Sequence, residues 1–539
     1  MQKEKGVGKL KNYKYKEYFS HVIPCLWFGI ICGSLTGAFI FLFKLAAHEL
    51  SHISKTIYSF AKESPLYICL TLTALVGMAF IMYLLHKKIP EASGGIPRSE
   101  GILRGVLSFH WLRTLVGTTL GSFISFLCGL PLGSEGPAVL IGTSIGNLCG
   151  NVSGKNSAWS RYVMTGGAGA GFAVATGAPI SAILFALEEV HKRFTPMLLL
   201  SVSTSVLTAT YVNNLLCSAF GISPSLLEVG ALGSFDLAHV GYLVLLGLMI
   251  ALAVSIFNTV VYFFDKLCYK IKKKIPGYVF LIALFLIVGV TALFYPEGVH
   301  SGHDVIIDAI FENRTITYLA LLLLFRAVIM LPTTESGATG GTFIPTLALG
   351  ALSGAISARL LILIGMPESL FSTALLLGMC AFMGGTLRAP LTATVLFIEL
   401  TSSFTNLFFV AIVVFIVYFA AELLNQKPFF EVVLSNLEEA QNRGKRAKIV
   451  RFEIKVSHGA FVVGKAVRDV MWPASTIVET ISREENKKKD MDDDGEKQIF
   501  PGDTLTLRAR LYDEETVKNQ LYTLVGKDHE ILVTSVEFV

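Results

Sequence analysis

The sequence predicts an all-α, multi-span membrane protein built from two internally repeated (inverted) halves with broken helices, followed by a small α+β cytoplasmic domain at its C-terminus. Three observations predict it. The chain is too apolar for a soluble protein, its charge is split sharply near residue 448, and glycine- and proline-containing segments recur at a nearly constant offset.

Of 539 residues, 53% are hydrophobic and only 16% charged, with a mean hydropathy of +0.61. A soluble domain carries about 25% charge. The last 91 residues hold 13 Lys+Arg and 17 Asp+Glu, 30 of the 85 charges, so the first 448 residues keep 55, about 12%. This excludes a soluble enzyme and a disordered chain for the first 448 residues, and the chain reads as not an enzyme. The net charge of +5 is too small at this length to argue for nucleic acid. Basic clusters at 3–16, 87–88, 192–193, 270–274 and 443–448 place both termini and the tail inside the cell (inner or plasma) membrane by the positive-inside rule. No signal peptide is read from the basic head. Eight cysteines lie in or beside apolar stretches with no CxxC or Cys/His spacing, which reads as buried free thiols, with no metal and no cofactor.

Apolar runs fill 22–43, 66–85, 111–130, 197–216, 240–264, 279–294, 318–331 and 408–424, several near the roughly 20 residues that cross a bilayer. Between them, 133–146, 166–179, 337–354 and 378–390 are apolar yet rich in glycine, as broken backbone buried in protein or lining a cavity would be. Gly133, Pro137, Gly142 and Gly146 match Gly341, Pro345, Gly350 and Gly354 at an offset of 208; Ala178, Pro179, Ala182 and Glu188 match Ala389, Pro390, Ala393 and Glu399 at 211. The halves are roughly 20–215 and 235–425. The expected domains are a basic N-terminus at 1–20, the membrane domain at 21–432, a linker at 433–448 and the tail at 449–539.

Repeated halves with matching interrupted segments are a mark of transporters, whose ion site lies between half-helix N-termini. Each Gly-x-x-x-Pro unit suits this: glycine lets backbone approach an ion, proline fits the first turn, and the free amides there are partially positive. Two such ends converging favour an anion.

Ser93-Gly-Gly-Ile-Pro97, Gly133-Ser-Glu-Gly-Pro137, Ser336-Gly-Ala-Thr-Gly-Gly-Thr-Phe-Ile-Pro345 and Lys427-Pro-Phe-Phe430, in this order along the chain, resemble the signature segments of the CLC family of chloride channels and proton-coupled chloride transporters. The resemblance implies that Glu135 is the gating glutamate, its carboxylate competing with anions. Burial favours a carboxylate's protonated form and a helix N-terminus its charged form, so such a group has reason to trade a proton for chloride. The resemblance also implies an anion path lined by Ser134, Glu135, Gly136, Thr342, Phe343 and Ile344, whose backbone donors attract without trapping. Glu189 takes the place of the internal proton-transfer glutamate; a solvated helix end beside His191, Lys192 and Arg193 is the other reading. Glu188, matched by Glu399, reads as a paired structural acid.

Three positions depart from the family pattern. Its central serine falls on Gly94, its tyrosine on Phe430, and the basic residue before the gating glutamate is Ser134. Losing two hydroxyls weakens a central anion site, by about 1.5 to 3 kcal/mol per charge-assisted hydrogen bond before water replaces it. Loose coupling, channel-like flux and fluoride as substrate all stay open.

In the tail, 450–456, 476–481, 504–510 and 531–538 read as strands, 463–470 and 514–524 as helices, and 487–495 as a polar turn. Gly464-Lys-Ala-Val-Arg468 followed by Pro501-Gly-Asp503 resembles the RCK C-terminal (TrkA-C) domain. That resemblance implies a dimeric regulatory module and a nucleotide ligand such as cyclic di-AMP. Arg468 would neutralise phosphate, and Trp472 either stacks on a base or belongs to the core. The resulting reading is a bacterial homodimer in the lipid bilayer that exchanges chloride for protons under ligand control. The alternatives are an uncoupled chloride or fluoride channel and a membrane-anchored sensor with a degenerate pore.

Overall fold

The computed structural model describes residues 2–152, 157–227, 229–230, 232–312, 314–483, 486–491 and 495–538, with side chains at all of these except 2–21, 157–158, 486–491 and 538. The basic side chains at 3–16 and residues 492–494 of the 487–494 charge run lie outside what is described. Each apolar run coincides with a helix: Gln2–Ala61, Pro65–Lys88, Trp111–Leu127, Pro196–Phe220, Val240–Lys274, Gly277–Phe294, Ile316–Glu335 and Leu407–Leu423. Their starts follow local chemistry. Ser64, Thr195 and Thr315 each turn a side-chain oxygen onto a first-turn amide (Leu66, Leu198 and Tyr318, 3.3–3.4 Å), and Pro65 and Pro196 occupy the first helical position.

Eight helices among the described residues are long and apolar enough to cross a membrane. They divide into an outer and an inner set. The most apolar window of Pro65–Lys88 is only 17% buried, leaving an apolar face that suits lipid, whereas that of Glu368–Leu387 is 94% buried. Seven of the cysteines are buried; Cys69 is exposed because it sits on that open Pro65–Lys88 helix.

The glycine-rich stretches correct one expectation. The backbone is broken only at short points, before Glu135, at 177–178, before Phe343 and at 388–389, and most of the glycines lie inside intact helices. They are there for close packing. Gly142 and Gly146 on Glu135–Val152 press against Ser157–Thr176, where a methyl on Gly146 would stand 2.6 Å from the Met164 Cα. Their counterparts Gly350 and Gly354 on Phe343–Leu363 press against Phe371–Leu387, where a methyl on Gly350 would stand 2.9 Å from the Met379 carbonyl oxygen. The two halves therefore pack alike.

They also cap each other. The amides of Leu391 and Thr392 donate to Glu188 at 2.9 and 2.7 Å, with the Thr392 hydroxyl at 2.7 Å. The amides of Ile180 and Ser181 donate to Glu399 at 2.7 and 2.8 Å, with the Ser181 hydroxyl at 2.6 Å. Each glutamate closes the N-terminus of the matching helix of the other half, Pro390–Thr401 and Pro179–Phe185, where four amides otherwise lack partners. Glu188 is thus a paired structural acid.

The tail is an open antiparallel sheet of order β3-β2-β4-β1-β5, with β1 Lys448–Lys455, β2 Thr476–Arg483, β3 Asn486–Met491, β4 Thr504–Leu511 and β5 Leu532–Phe538. One face carries the helix Glu514–Val525, capped by Asp513, whose carboxylate accepts from the Glu515 amide and the Thr516 hydroxyl. The Thr516 hydroxyl holds the Asp513 carboxyl below its usual range. Two expectations change. The polar turn at 487–495 contains strand β3, paired with β2. The helix at 463–470 is absent apart from a single 3₁₀ turn, Val467–Asp469: Gly464 is at φ +78°, and the amides of Gly464 and Val467 donate to the carbonyls of Ile499 and Lys497 rather than back along a helix.

Helix Phe429–Gln441 and a turn carry the chain into β1. The tail folds back onto the helical body through Arg161. Its Nη1 donates to the carbonyls of Met471 and Trp472 (3.1 and 3.0 Å), while Nε and Nη2 donate to the Leu103 carbonyl (3.0 and 2.7 Å). The Tyr162 hydroxyl reaches the Asp469 carbonyl at 3.1 Å, and Trp159 meets Phe461 edge-on at 5.5 Å.

A methyl at Gly146 or Gly350 must displace backbone. Gly146→Ala and Gly350→Ala are each expected to lower the thermal midpoint of the detergent-solubilised protein, at a cost of about 1–3 kcal/mol. Gly77→Ala, which meets open space, serves as the control and leaves the midpoint unchanged or higher. Arg161→Ala leaves three carbonyls without their donor, about 1–3 kcal/mol for a buried one. Trypsin is then expected to release the tail faster at the exposed Arg443, Lys445 and Arg446, and an unchanged cleavage rate would show that Arg161 does not hold it.

Candidate functional site

Three helices begin at one place near the middle of the body: Gly95–Arg104, Glu135–Val152 and Phe343–Leu363. The segments before the latter two are joined by a single antiparallel bridge. Gly133 and Gly341 exchange both amide–carbonyl hydrogen bonds at 2.7 Å. Side chains would prevent this approach: a methyl on Gly136 would stand 2.6 Å from the Gly341 Cα and 3.4 Å from the Gly95 Cα. Gly94 and Gly95 turn the third helix in with φ of +96° and +47°, a conformation that favours glycine. The sequence-predicted residues Gly94, Ser134, Glu135, Gly136, Thr342, Phe343 and Ile344 are thereby brought together around three N-termini. Amides at such ends lack helical partners and carry partial positive charge.

Glu135 is the first residue of its helix and is 2% exposed. Its Oε1 accepts from the Ser134 hydroxyl at 3.0 Å, while Oε2 has no hydrogen-bond partner. The carboxylate lies back over Gly133, next to Ile344, in a space that a side chain at 133 would fill. Lys44, whose Nζ donates to the Val174 carbonyl at 3.1 Å, is the cation that acts on it.

Phe343 is fully buried and meets Phe172 edge-on at 5.0 Å; Phe172 stacks on Phe185 at 4.5 Å. Phe185 ends the helix that runs into a π-helical turn, Ala186–Val190, which carries Glu189. Three rings therefore connect the neighbourhood of Glu135 with that of Glu189. Glu189 is fully buried with neither carboxylate oxygen hydrogen-bonded, so it is not a solvated helix end. Arg104 fixes the turn by donating to the carbonyls of Glu189 (3.0 Å) and Val190 (2.9 Å). Phe430 is buried on Phe429–Gln441, a helix packed against Gly95–Arg104.

The surroundings of Glu189 hold groups that the sequence reading missed. Glu100 is fully buried and paired with Arg104 one turn on, Lys192 is paired with Glu431, and all four act electrostatically on Glu189. The Glu100/Arg104 spacing of four residues was a readable signal; the approach of Glu431, from a distant helix, was not.

In the tail, Trp472 is buried and its indole N–H donates to the Val467 carbonyl at 2.9 Å, while the exposed Arg468 pairs with Glu496 at 2.7 Å. Both line a cleft of about 400 Å³ that Arg193, Phe194 and Thr195 of the helical body close from the other side.

Comparison with known proteins agrees with this architecture. The family model described as "Voltage gated chloride channel" matches residues 77–422. The H(+)/Cl(-) exchange transporter ClcA of Salmonella arizonae is 29% identical over 437 residues, covering 79% of this chain and 91% of that protein. Its counterpart in Salmonella schwarzengrund is 28% identical over the same extent. Among solved structures, a slow cyanobacterial Cl−/H+ antiporter superposes with a TM-score of 0.71 at 27% identity, over 78% of this chain and 99% of that one. A CLC-type fluoride/proton antiporter shares the fold at a TM-score of 0.62 and 23% identity, over 74% and 95%. With paired helix N-termini converging on a buried glutamate and the family match running through both repeats, the chain belongs to the voltage-gated chloride channel (CLC) family.

Proposed function

We propose that the protein exchanges chloride for protons across the cell membrane, with Glu135 as gate and Glu189 as the internal proton-transfer acid. The observation that carries this reading is a contrast among the acids enclosed in the membrane body. Glu188 and Glu399 have their carboxylates saturated by amides and hydroxyls. Glu135 and Glu189 keep oxygens with no partner, and a buried carboxylate left so is costly unless it serves chemistry. Glu135 lies where an anion approaching the amides of Gly136 and Ile344 would sit. When chloride arrives the carboxylate leaves and takes up a proton, and the return step reverses both. Glu189 supplies that proton from the inner side, where Arg104 holds its turn in place. The curated relatives named for H(+)/Cl(-) exchange support the same chemistry.

An uncoupled chloride or fluoride channel is the second reading, favoured by one observation: neither Gly94 nor Phe430 offers a hydroxyl to a central anion. A sensor with a degenerate pore is disfavoured by Glu135, since a dead pathway has no use for a buried, half-satisfied acid. Chloride efflux from liposomes with simultaneous proton recording decides among these. A chloride gradient is expected to drive protons uphill in wild type. Glu135→Gln and Glu189→Gln are each expected to abolish proton movement while chloride still flows. Chloride flux without protons in wild type establishes the channel, and no halide flux at all leaves the sensor.

The tail in this proposal is an RCK C-terminal-like regulatory module of a homodimer whose termini face the cytoplasm, taking a cyclic dinucleotide such as cyclic di-AMP. Its support is the cleft. Arg468 and Arg193 offer positive charge from its two walls, and the 59%-exposed Phe194 offers a ring beside the packed Trp472. Calorimetric titration of cyclic di-AMP into the purified protein is expected to give heat at micromolar concentration that Arg468→Ala weakens at least tenfold. No heat from wild type overturns the assignment.

A further inference from the structure

The two hydroxyls absent at Gly94 and Phe430 leave a gap in the anion's coordination, and the structure places a charged donor beside it. Arg98 follows Gly94 by one turn on the Gly95–Arg104 helix. Its side chain folds back towards the helix start instead of out to water, and its Nε donates to the Ser93 carbonyl. A methyl built on Gly94 would stand 3.1 Å from the Arg98 Cβ, 3.3 Å from its Nε and 3.0 Å from Leu437 of the neighbouring helix. The guanidinium thus borders the space that a side chain at position 94 would enter.

Arg98 is 8% exposed, and among the described residues no carboxylate lies within ion-pair range, Glu91 acting on it only from further off, and Nη1 and Nη2 have no hydrogen-bond partner. Two other enclosed arginines of this chain spend their amino groups on carbonyls. Arg326, buried to a similar depth, donates to the carbonyls of Glu297, Val299 and His300. Arg388 donates to Gly385, Ala421 and Gln426 and pairs with Glu422. Its two amino groups reach solvent-accessible space beside position 94 and are free to donate to an anion that enters there. The helix start beside it has no side-chain cap, so its amides are idle as well.

We propose that Arg98, together with the uncapped N-terminus of Gly95–Arg104, holds the transported halide at the inner end of the pathway in place of the missing hydroxyls. The proposal rests on the anion-transport reading and adds to it the residue that sets affinity. A full charge binds more tightly than a hydroxyl and releases more slowly, so this site trades turnover for affinity.

Calorimetric titration of chloride into the chloride-depleted, detergent-solubilised full-length protein tests it. Arg98→Gln is expected to weaken binding between about tenfold and a hundredfold, the range for a hydrogen bond to a charged group, and Arg98→Lys to restore most of it. Unchanged binding by Arg98→Gln overturns the proposal while leaving transport intact. A wild type that binds no halide overturns both. Should Arg98→Gln not fold, wild-type crystals grown in bromide give the same answer by anomalous scattering. Bromide within hydrogen-bonding distance of the guanidinium supports the site, and bromide elsewhere on the path but not there overturns it.

Discussion

Everything else in the membrane body is arranged around one close contact, the antiparallel bridge between Gly133 and Gly341. Two hydrogen bonds of 2.7 Å hold together the segments that open the two principal half-helices, and Gly136 and Gly95 fill in with no side chains between them. The contact fixes where three helix N-termini point. Without it their amides would face three directions, and each would need a cap of its own. With it they face one small volume, and their partial charges sum there. The proposed anion path is therefore a consequence of backbone meeting backbone, and glycine is required at the meeting point for steric reasons before any functional one.

The same economy explains the acids of the membrane body. Glu188 and Glu399 each close a helix N-terminus belonging to the other half, so the pseudo-symmetry is stitched by two identical three-donor caps. A carboxylate so held has no reason to move. Glu135, whose Oε2 has no partner, and Glu189, with neither oxygen bonded, are the acids proposed to change partner or protonation. The distinction between structural and working carboxylates follows from counting their donors.

The repeat was legible because glycine and proline are punctuation that tertiary packing cannot override, and its two offsets led to the bridge and to the reciprocal caps. The reason for the glycines was not. Gly142, Gly146, Gly350 and Gly354 read as breaks in the helices, yet they sit in unbroken ones and permit backbone contact between neighbours. Apolar helices in lipid gain little from burying apolar area against one another, so close packing between small residues takes over, and periodicity alone does not separate that from interruption. In the tail, the strands announced themselves by alternation, while 463–470 looked helical and instead pairs through Gly464 and Val467 with residues 497–499. Long-range pairing of that kind leaves no local trace. Arg98 escaped notice for a related reason: its meaning comes from the side chain it borders being absent at Gly94.

The short helix Gly95–Arg104 joins these themes. Its start belongs to the proposed anion site, Glu100 and Arg104 near its end set the field and the carbonyl positions around Glu189, and the Leu103 carbonyl is held by Arg161. The same guanidinium grips the carbonyls of Met471 and Trp472 in the tail. One half-buried arginine is thus shared between the tail and the helix that carries both the proposed start of the anion path and the support of Glu189. A helix of 10 residues moves as a unit, since shifting one end without the other would break hydrogen bonds along it. Any event that pulls the 469–472 segment away from Arg161 therefore bears on the proposed anion site and the proposed proton-transfer acid together. A regulatory tail needs such a contact to act on coupling and not merely on stability.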